Sequence, residues 1–187
     1  MIEFKKIQNS SEPLFINMYE LYQTAFPPVE QRTLEDLKAV LNYEKHFESY
    51  ALLKENKFVG FFNYWIFDSF IYVEHFAVNE ILRKQNIGSD AMKRFLSKID
   101  LPVVLEVEPP NDANSIRRIK FYNQFGFEIL SHAYLQPYYD GSGKLFPLLI
   151  MSNNYHFADT HFTLIRSILY RDVYRYFQNN EKQLPIL

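Results

Sequence analysis

Cysteine is absent from this chain of 187 residues, and glycine occurs only five times. The lack of thiols excludes a disulfide framework, a thiolate metal site and a cysteine nucleophile. Apolar runs such as residues 61–67 are far too short to span a bilayer, and the N-terminus has no apolar segment of signal-peptide length. We therefore expect a cytoplasmic protein that has no membrane partner.

Neither sign of charge dominates the chain, because 20 basic residues stand against 22 acidic ones. A nearly neutral protein gives no support for nucleic acid as a partner, since binding to a polyanion depends on excess positive charge. The five histidines show no metal-ligand spacing, so we expect no metal. Aromatic residues are abundant instead, with 18 Phe and 14 Tyr, which predicts a Phe-rich core and aromatic walls around a cleft.

The order of apolar segments predicts an α/β (α+β) domain with a mixed, mostly antiparallel sheet. Strands are expected at residues 2–7, 50–54, 58–67, 70–78, 103–107, 128–135 and 145–152. Helices are expected from a cap at Ser10 or Ser11 to about 25, from a cap at Thr33 to about 41, at 89–99, and from about 111 to 126. Because a helix separates strands 70–78 and 103–107, these two strands should be parallel.

The segment that follows this domain is expected to be a helical extension. We place the domain at residues 1–152 and the extension at 153–187, with one helix over residues 159–178. Its apolar stripe consists of Phe162, Ile165, Leu169, Val173 and Tyr176. We expect this helix to pack on the domain, and contact with a partner subunit in a homodimer is the alternative.

The stretch from Phe76 to Ser89 has the pattern of a phosphate-binding loop. An apolar strand end, Phe76-Ala77-Val78, precedes the polar run Arg83-Lys84-Gln85-Asn86-Ile87-Gly88, and an amphipathic helix opens at Ser89. Amide N–H groups at a helix N-terminus lack internal partners and carry partial positive charge. The loop can therefore hold a diphosphate, assisted by Arg83 and Lys84.

This pattern resembles the acetyl-CoA signature of the GNAT superfamily of N-acyltransferases. A second superfamily signature follows in the same order, as Leu105-Glu106-Val107-Glu108 and then a helix that ends Phe121-Tyr122-Asn123-Gln124-Phe125-Gly126-Phe127. The resemblance covers about residues 1–152. It implies the GNAT fold, acetyl-CoA as cosubstrate, and acetyl transfer to a primary amine of a small molecule or peptide by direct attack in a ternary complex.

One position departs from the superfamily pattern, because Asn86 replaces the first glycine of the loop. Asn is the next best residue after glycine at positive φ, so the turn can form. The departure keeps a second hypothesis open, in which the chain is a non-catalytic acyl-CoA binding or sensing domain of the same fold.

The resemblance also implies roles for individual residues. The strand end would bind pantetheine and the reaction's oxyanion through its backbone, and Tyr122 would protonate the departing thiolate. The superfamily's loop asparagine falls on Ser115 here, with Asn111 and Asn114 near by, and Asn114 is our candidate. The full set of expected cosubstrate-binding residues is Phe76, Ala77, Val78, Arg83, Lys84, Gln85, Asn86, Ile87, Gly88, Ser89 and Asn114.

Two glutamates compete for the role of general base. Glu74 has apolar neighbours, and burial would raise its pKa toward neutrality, as a base requires. Glu106 lies on the adjacent strand in a context that resembles the catalytic glutamate of the ribosomal-protein acetyltransferases. We favour Glu74, because its strand also carries the thioester-binding backbone. Strand alternation predicts that His75 faces away from Glu74, so these two side chains should not act as a dyad.

Overall fold

The structure is a computed structural model, and it describes residues 1–82 and 85–176. The strands of the described chain are β1 (Ile2–Lys6), β2 (Phe47–Lys54), β3 (Lys57–Ile66), β4 (Ile71–Val78), β5 (Val103–Val107), β6 (Glu128–Ile129), β7 (Tyr134–Pro137) and β8 (Leu145–Ser152). The α-helices are α1 (Pro13–Ala25), α2 (Leu34–Tyr43), α3 (Ile87–Leu96), α4 (Ala113–Asn123), α5 (Tyr155–Thr160) and α6 (Phe162–Ile168). Short 3₁₀ turns occur at Pro28–Glu30 and Glu80–Leu82, and a π-helical turn at Leu169–Val173.

The strands form one mixed sheet, which confirms the predicted fold class. Its order is β1-β2-β3-β4-β5-β8-β6, and β7 pairs with β8 beside this path. The β4–β5 pair is parallel, as predicted, and the other pairs are antiparallel.

Helices cover both faces of the sheet, and each face buries its own apolar cluster. On one face, which we call the α1 face, residues of α1, α2, α5 and α6 join the sheet in a cluster that includes Phe15, Leu37, Phe61 and Ile165. On the other, the α3 face, residues of α3 and α4 pack with strand residues such as Phe62 and Leu105. Side chains that alternate along a strand reach opposite clusters, as the adjacent residues Phe61 and Phe62 do.

Several sequence-based boundaries are wrong. Strand β2 begins at Phe47, three residues before the predicted start, and α3 ends at Leu96, three residues before the predicted end. Glu12, not a serine, is the N-cap of α1, and Ser11 bonds Asn9 instead. The predicted strand 128–135 is two strands, β6 and β7. The chain bends between them at His132, whose ring stacks on Phe162 and whose Nε2 lies 3.0 Å from an Asp159 oxygen. Helix α3 begins at Ile87, two residues before the predicted start, because the left-handed Asn86 is its N-cap.

The predicted single helix over residues 159–178 is also wrong. His161 interrupts the helix, because its φ of −104° and ψ of 17° are not helical; it is the C-cap of α5 and the N-cap of α6, and the π-helical turn follows directly after α6. The predicted apolar stripe nevertheless packs on the domain, since Phe162, Ile165, Leu169 and Val173 all belong to the α1-face cluster. The part of the predicted helix after residue 176 lies outside the described residues.

Gly60 of β3 generates a stability prediction. It pairs with Val78 of β4, and a Cβ built on it would lie 2.4 Å from the Ala77 carbonyl oxygen. That atom is backbone and cannot swing aside, so we expect Gly60→Ala to lower the free energy of unfolding by about 1–3 kcal/mol in urea titrations.

Gly88→Ala is the matched control, because a Cβ there meets its nearest neighbours at an ordinary 3.7 Å. The control should change stability by less than about 1 kcal/mol, toward greater stability, as alanine is favoured in a helix. Equal urea midpoints for the two variants would contradict the close approach of β3 to β4.

Candidate active site

The site is a cleft that opens where β4 and β5 separate. The two strands pair from Ile71–Val73 on β4 to Val103–Leu105 on β5. Beyond this pairing lies a cleft of about 980 Å³, lined by residues 74–78 of β4 and residues 105–108 of β5. Two strands that diverge leave backbone N–H and C=O groups on their facing edges available to a ligand.

The start of α3 forms one end of the cleft and has an open N-terminus. Asn86 has φ 59° and ψ 9°, which confirms the prediction that it adopts the left-handed conformation. Its side chain makes no capping bond to α3, whereas Thr33 caps α2 and Asp112 caps α4. The first N–H groups of α3 therefore remain available beside Gly88 and Ser89, which line the cleft.

Most of the expected cosubstrate-binding residues lie on this cleft. The structure brings together Phe76, Ala77, Val78, Asn86, Ile87, Gly88, Ser89 and Asn114. Gln85 is exposed and is not among the lining residues. Arg83 and Lys84 lie outside the described residues. Ser115 is buried and completes the capping box of α4 with Asp112, so it has a structural partner instead of a ligand-facing position.

Tyr122 reaches the same cleft from α4. Its ring packs against Phe121 and Phe127, and the residue is only 8% exposed. Burial raises the pKa of Tyr122 to about 12. The hydroxyl therefore keeps its proton at neutral pH, which is the state that a general acid requires before it donates.

A β-bulge in β4 controls the other side of the cleft. Asn63 of β3 pairs with His75, but the next residue, Tyr64, pairs with Val73, so Glu74 is an extra residue in the ladder. A bulge interrupts strand alternation and redirects side chains. Glu74 accepts a hydrogen bond from Tyr139, and the His75 ring lies 6.2 Å from the Tyr139 ring. The prediction that Glu74 and His75 face opposite sides is therefore wrong, and both lie on the α1 face.

Glu74 is part of a buried ion pair with Arg32. The side chains are each 1% exposed, and Arg32 Nη2 lies 2.8 Å from Glu74 Oε1. Trp65 Nε1 and the Tyr139 hydroxyl also donate to the carboxylate, each at 2.8 Å. Burial by itself would raise the pKa of Glu74, but Arg32 and these donors outweigh burial and lower the pKa. The expectation of a raised pKa at Glu74 is wrong.

Glu106 is the carboxylate whose pKa is raised. Tyrosine hydroxyls hold both of its oxygens: Tyr134 donates to Oε1, and Tyr72 and Tyr174 donate to Oε2 at 2.8 and 2.5 Å. Burial raises the pKa of Glu106 to about 7, although the three hydroxyls favour the ionised form. The carboxylate lines the cleft and has the pKa that a base near neutral pH requires.

His75 occupies the same side in its neutral form. Its ring lies edge-on between Tyr22 and Phe26, and its Nε2 donates to the Glu30 carbonyl oxygen at 3.0 Å. That bond fixes the proton on Nε2, because a carbonyl only accepts. Burial lowers the pKa of His75, and within the described chain no hydrogen-bond partner is found for its Nδ1.

The sequence offers two candidate walls for an acceptor pocket on this side. One is the segment 26–32, which lies where members of the resembled superfamily commonly build that pocket, and the other consists of residues 134, 136, 138 and 139. The structure has Glu30 and Tyr139 on the cleft and Arg32 buried against Glu74. Burial, together with the charge of Glu108, raises the pKa of Glu30 to about 7. Tyr174 also belongs here, but it lies far from Glu74 and Glu106 in sequence and carries no motif, so no sequence signal assigns it a role in the site.

The described residues hold neither a metal-binding cluster nor a membrane-spanning helix. They contain no group of three or more His, Asp or Glu side chains arranged to hold a metal ion. No helix within residues 1–82 and 85–176 is long and apolar enough to cross a membrane.

Comparison with known proteins identifies the family. The family model described as the acetyltransferase (GNAT) family matches residues 15–127, which include β4, α3 and most of the cleft. This chain belongs to the GNAT acetyltransferase family. The match confirms the resemblance inferred from the two signatures.

Individual GNAT relatives agree with this assignment. A solved structure of a candidate GNAT acetyltransferase from Bacteroides thetaiotaomicron is 34% identical, with a TM-score of 0.86 over 92% of this chain and 98% of that chain. The candidate acetyltransferase YjbC of Bacillus subtilis (strain 168) is 28% identical over 60% of this chain, and the match spans 57% of YjbC's length. Arabidopsis thaliana NAA60 in complex with acetyl-CoA is 17% identical, with a TM-score of 0.58 over 81% of this chain and 97% of that chain, which shows the fold alone.

The buried ion pair of the GNAT chain generates a pH-dependent stability prediction. We expect Glu74→Gln to lower the free energy of unfolding at pH 7 by about 3–5 kcal/mol, because Arg32 is then left buried without its counter-charge. The folded-state pKa of Glu74 lies below its ordinary value of 4.5. Its ionisation therefore stabilises the fold above that pH, and the difference from wild type should shrink as pH falls below about 4.5.

Glu108→Gln is the matched control for this measurement. Glu108 pairs with Arg118 at 2.6 Å, but its side chain is 36% exposed and that of Arg118 38%. An exposed pair contributes about 0–1 kcal/mol, so urea titrations of this variant should differ little from wild type. Similar losses of unfolding free energy in the two variants would show that the buried Arg32–Glu74 pair contributes no more than an exposed pair.

Proposed function

We propose that this protein is an acetyl-CoA-dependent N-acetyltransferase in which an amine attacks the thioester directly in a ternary complex. The observation that carries the proposal is the arrangement of the cleft. The open N-terminus of α3 and the acid candidate Tyr122 line it together with Glu106, whose pKa is raised to about 7. Membership of the GNAT acetyltransferase family and the acetyl-CoA-bound relative support the choice of cosubstrate.

Acetyl-CoA would enter along the α3 side of the cleft. The diphosphate would bind the N–H groups at the start of α3, and pantetheine would run along the β4 edge at Phe76–Val78, with Asn114 as a further contact. Phe76 stacks on Phe62 with ring centroids 4.0 Å apart, which gives this edge a rigid aromatic support. A Cβ at Gly88 would make ordinary contacts with Phe76 and Phe121, each 3.7 Å away, so these two rings border the start of α3.

The acceptor would enter on the side of Glu30 and Glu106. Both carboxyls line the cleft, and neither forms an ion pair with a described residue, whereas Glu74 is paired with Arg32. A cationic amine would supply the missing counter-charge, so an ammonium-bearing small molecule or peptide is the class of acceptor that this side suits.

Each chemical step then has a group to perform it. Glu106 takes a proton from the ammonium, and the neutral nitrogen attacks the thioester carbon to form a C–N bond. Backbone N–H groups of β4 stabilise the oxyanion of the tetrahedral intermediate. The C–S bond breaks, and the departing thiolate takes the hydroxyl proton of Tyr122. The nitrogen, cationic after its attack, then loses its second proton to the Tyr122 phenolate, which restores the hydroxyl, and Glu106 releases its proton to solvent. We assign the base to Glu106 instead of Glu74, because the ion pair with Arg32 makes Glu74 a weaker proton acceptor.

The cosubstrate site is tested by a change of charge at Gly88. We expect Gly88→Glu to abolish CoA binding in calorimetry and acetyl transfer in a free-thiol assay with a panel of amines, because it places a negative charge beside the diphosphate. Gly88→Gln, of the same size, separates charge from bulk and should retain more affinity.

Two results would count against this part of the proposal. Unchanged CoA affinity in a folded Gly88→Glu variant would remove the site from the start of α3. CoA binding by wild type without thiol release for any amine would instead favour the non-catalytic acyl-CoA binding domain.

The base is tested by the pH dependence of kcat/KM. Because Glu106 must be ionised to act, wild-type kcat/KM should fall as pH drops below about 7. Glu106→Gln should lower the rate about 10²–10⁴-fold near neutral pH and replace that acidic limb by a rise toward the amine's own pKa. Glu30→Gln should raise KM and keep the limb. An acidic limb that persists in Glu106→Gln would refute the assignment.

A further inference from the structure

We infer that Tyr174, which lies beyond the part of the chain matched by the family model, is a positioning residue that holds the Glu106 carboxylate for catalysis. The inference rests on the proposed role of Glu106 as base. It extends that role because it makes the C-terminal segment part of the active site instead of a covering helix.

The contact is direct. The Tyr174 hydroxyl donates to Glu106 Oε2 at 2.5 Å and lies 2.8 Å from the Tyr72 hydroxyl, which bonds the same oxygen. Tyr174 is 7% exposed and packs in the α1-face cluster. Its ring also lies 5.0 Å from that of Tyr139, the residue that bonds Glu74.

Backbone geometry directs Tyr174 toward the site. The Tyr174 N–H donates to the Leu169 carbonyl at 2.9 Å, five residues back, which is the spacing of a π-helical turn. Such turns are rare and frequently occur at functional sites. The chain then stops turning at Arg175, which has φ 52°, and Tyr176 N–H closes the end by donating to Tyr170 O at 2.7 Å.

Side chains from the domain anchor both neighbours of Tyr174. Arg32 Nη2 donates to the Val173 carbonyl at 2.8 Å. Arg175 forms ion pairs with Asp36 of α2 and with Glu44, the C-cap residue of α2, each at 3.1 Å. The residues before and after Tyr174 are therefore both fixed to the domain, which fixes the position of the Tyr174 hydroxyl. A group that orients a carboxylate needs such a fixed position.

The expected effect follows from the groups that face Glu106. Tyr72 from β4, Tyr134 from β7 and Tyr174 donate to its oxygens and favour ionisation, while burial and the charge of Glu74 oppose it. Loss of one donor to a charged group removes stabilisation of the carboxylate alone. Tyr174→Phe, which deletes one oxygen atom and keeps the ring, should therefore raise the pKa of Glu106.

The experiment is a pH titration of the Glu106 carboxyl by ¹³C NMR in protein labelled at its Glu side chains, with Glu106→Gln to assign the resonance. We expect Tyr174→Phe to move the midpoint upward by about one pH unit. The acidic limb of the kcat/KM profile should move upward by the same amount. At pH values below the wild-type midpoint, kcat/KM of the variant should therefore be about tenfold lower than that of wild type. Tyr170→Phe is the matched control, because its hydroxyl bonds the Leu135 carbonyl, and it should move neither.

The outcomes are distinguishable from failure of the proposed function. A shifted midpoint in a protein without transferase activity would support the positioning contact and reject the enzyme. An active wild type whose midpoint and limb are the same in Tyr174→Phe would overturn the inference. If Tyr174→Phe does not fold, replacement of Tyr174 by 3-fluorotyrosine is the test, since it keeps the hydroxyl and the ring, and its more acidic phenol is a stronger donor that should lower the midpoint. A midpoint unchanged in that variant would also overturn it.

Discussion

Arg32 lies buried at the point where the loop before α2, the bulge of β4 and the C-terminal segment meet. Its guanidinium binds Glu74, Asp36 and the Val173 carbonyl, and it lies over the Tyr139 ring at 4.6 Å. A buried cation without partners would cost several kcal/mol of folding free energy. The loop before α2, the bulge of β4 and the C-terminal segment therefore stabilise one another through Arg32. The Glu74 side of the cleft therefore depends on one arginine that is not itself among the residues that line the cleft.

This arrangement gives Glu74 and Glu106 opposite pKa shifts, although both carboxyls are buried. Glu74 is tied to a cation and serves structure, whereas Glu106 is surrounded by neutral phenols and stays able to exchange a proton. Burial raises the pKa of both carboxyls, and the partner of each decides the net shift. The charge of Arg32 lowers the pKa of Glu74, whereas the neutral tyrosines leave that of Glu106 raised. On the opposite face, residues of α3 and α4 line the other part of the cleft.

Local sequence patterns predicted the secondary structure, whereas contacts between residues distant in sequence could not be predicted. The strands, the parallel β4–β5 pair, the Thr33 cap and the left-handed Asn86 follow from local patterns, so the fold and one half of the cleft could be predicted. The bulge at Glu74 could not, because it depends on the register of β3 against β4. A single extra residue reversed the expected facing of Glu74 relative to His75. The pKa of Glu74 then depended on Arg32, 42 residues away.

The single tryptophan of the chain gives this architecture a practical consequence. Trp65 donates its indole N–H to Glu74 and lies 5.7 Å from the Arg32 guanidinium. All of the tryptophan fluorescence of the protein therefore comes from Trp65, which contacts the Arg32–Glu74 ion pair. Indole fluorescence is sensitive to adjacent charge and to contact with water, so its colour and intensity follow the state of this one junction. Trp65 fluorescence can therefore report on the Arg32–Glu74 ion pair without an added label.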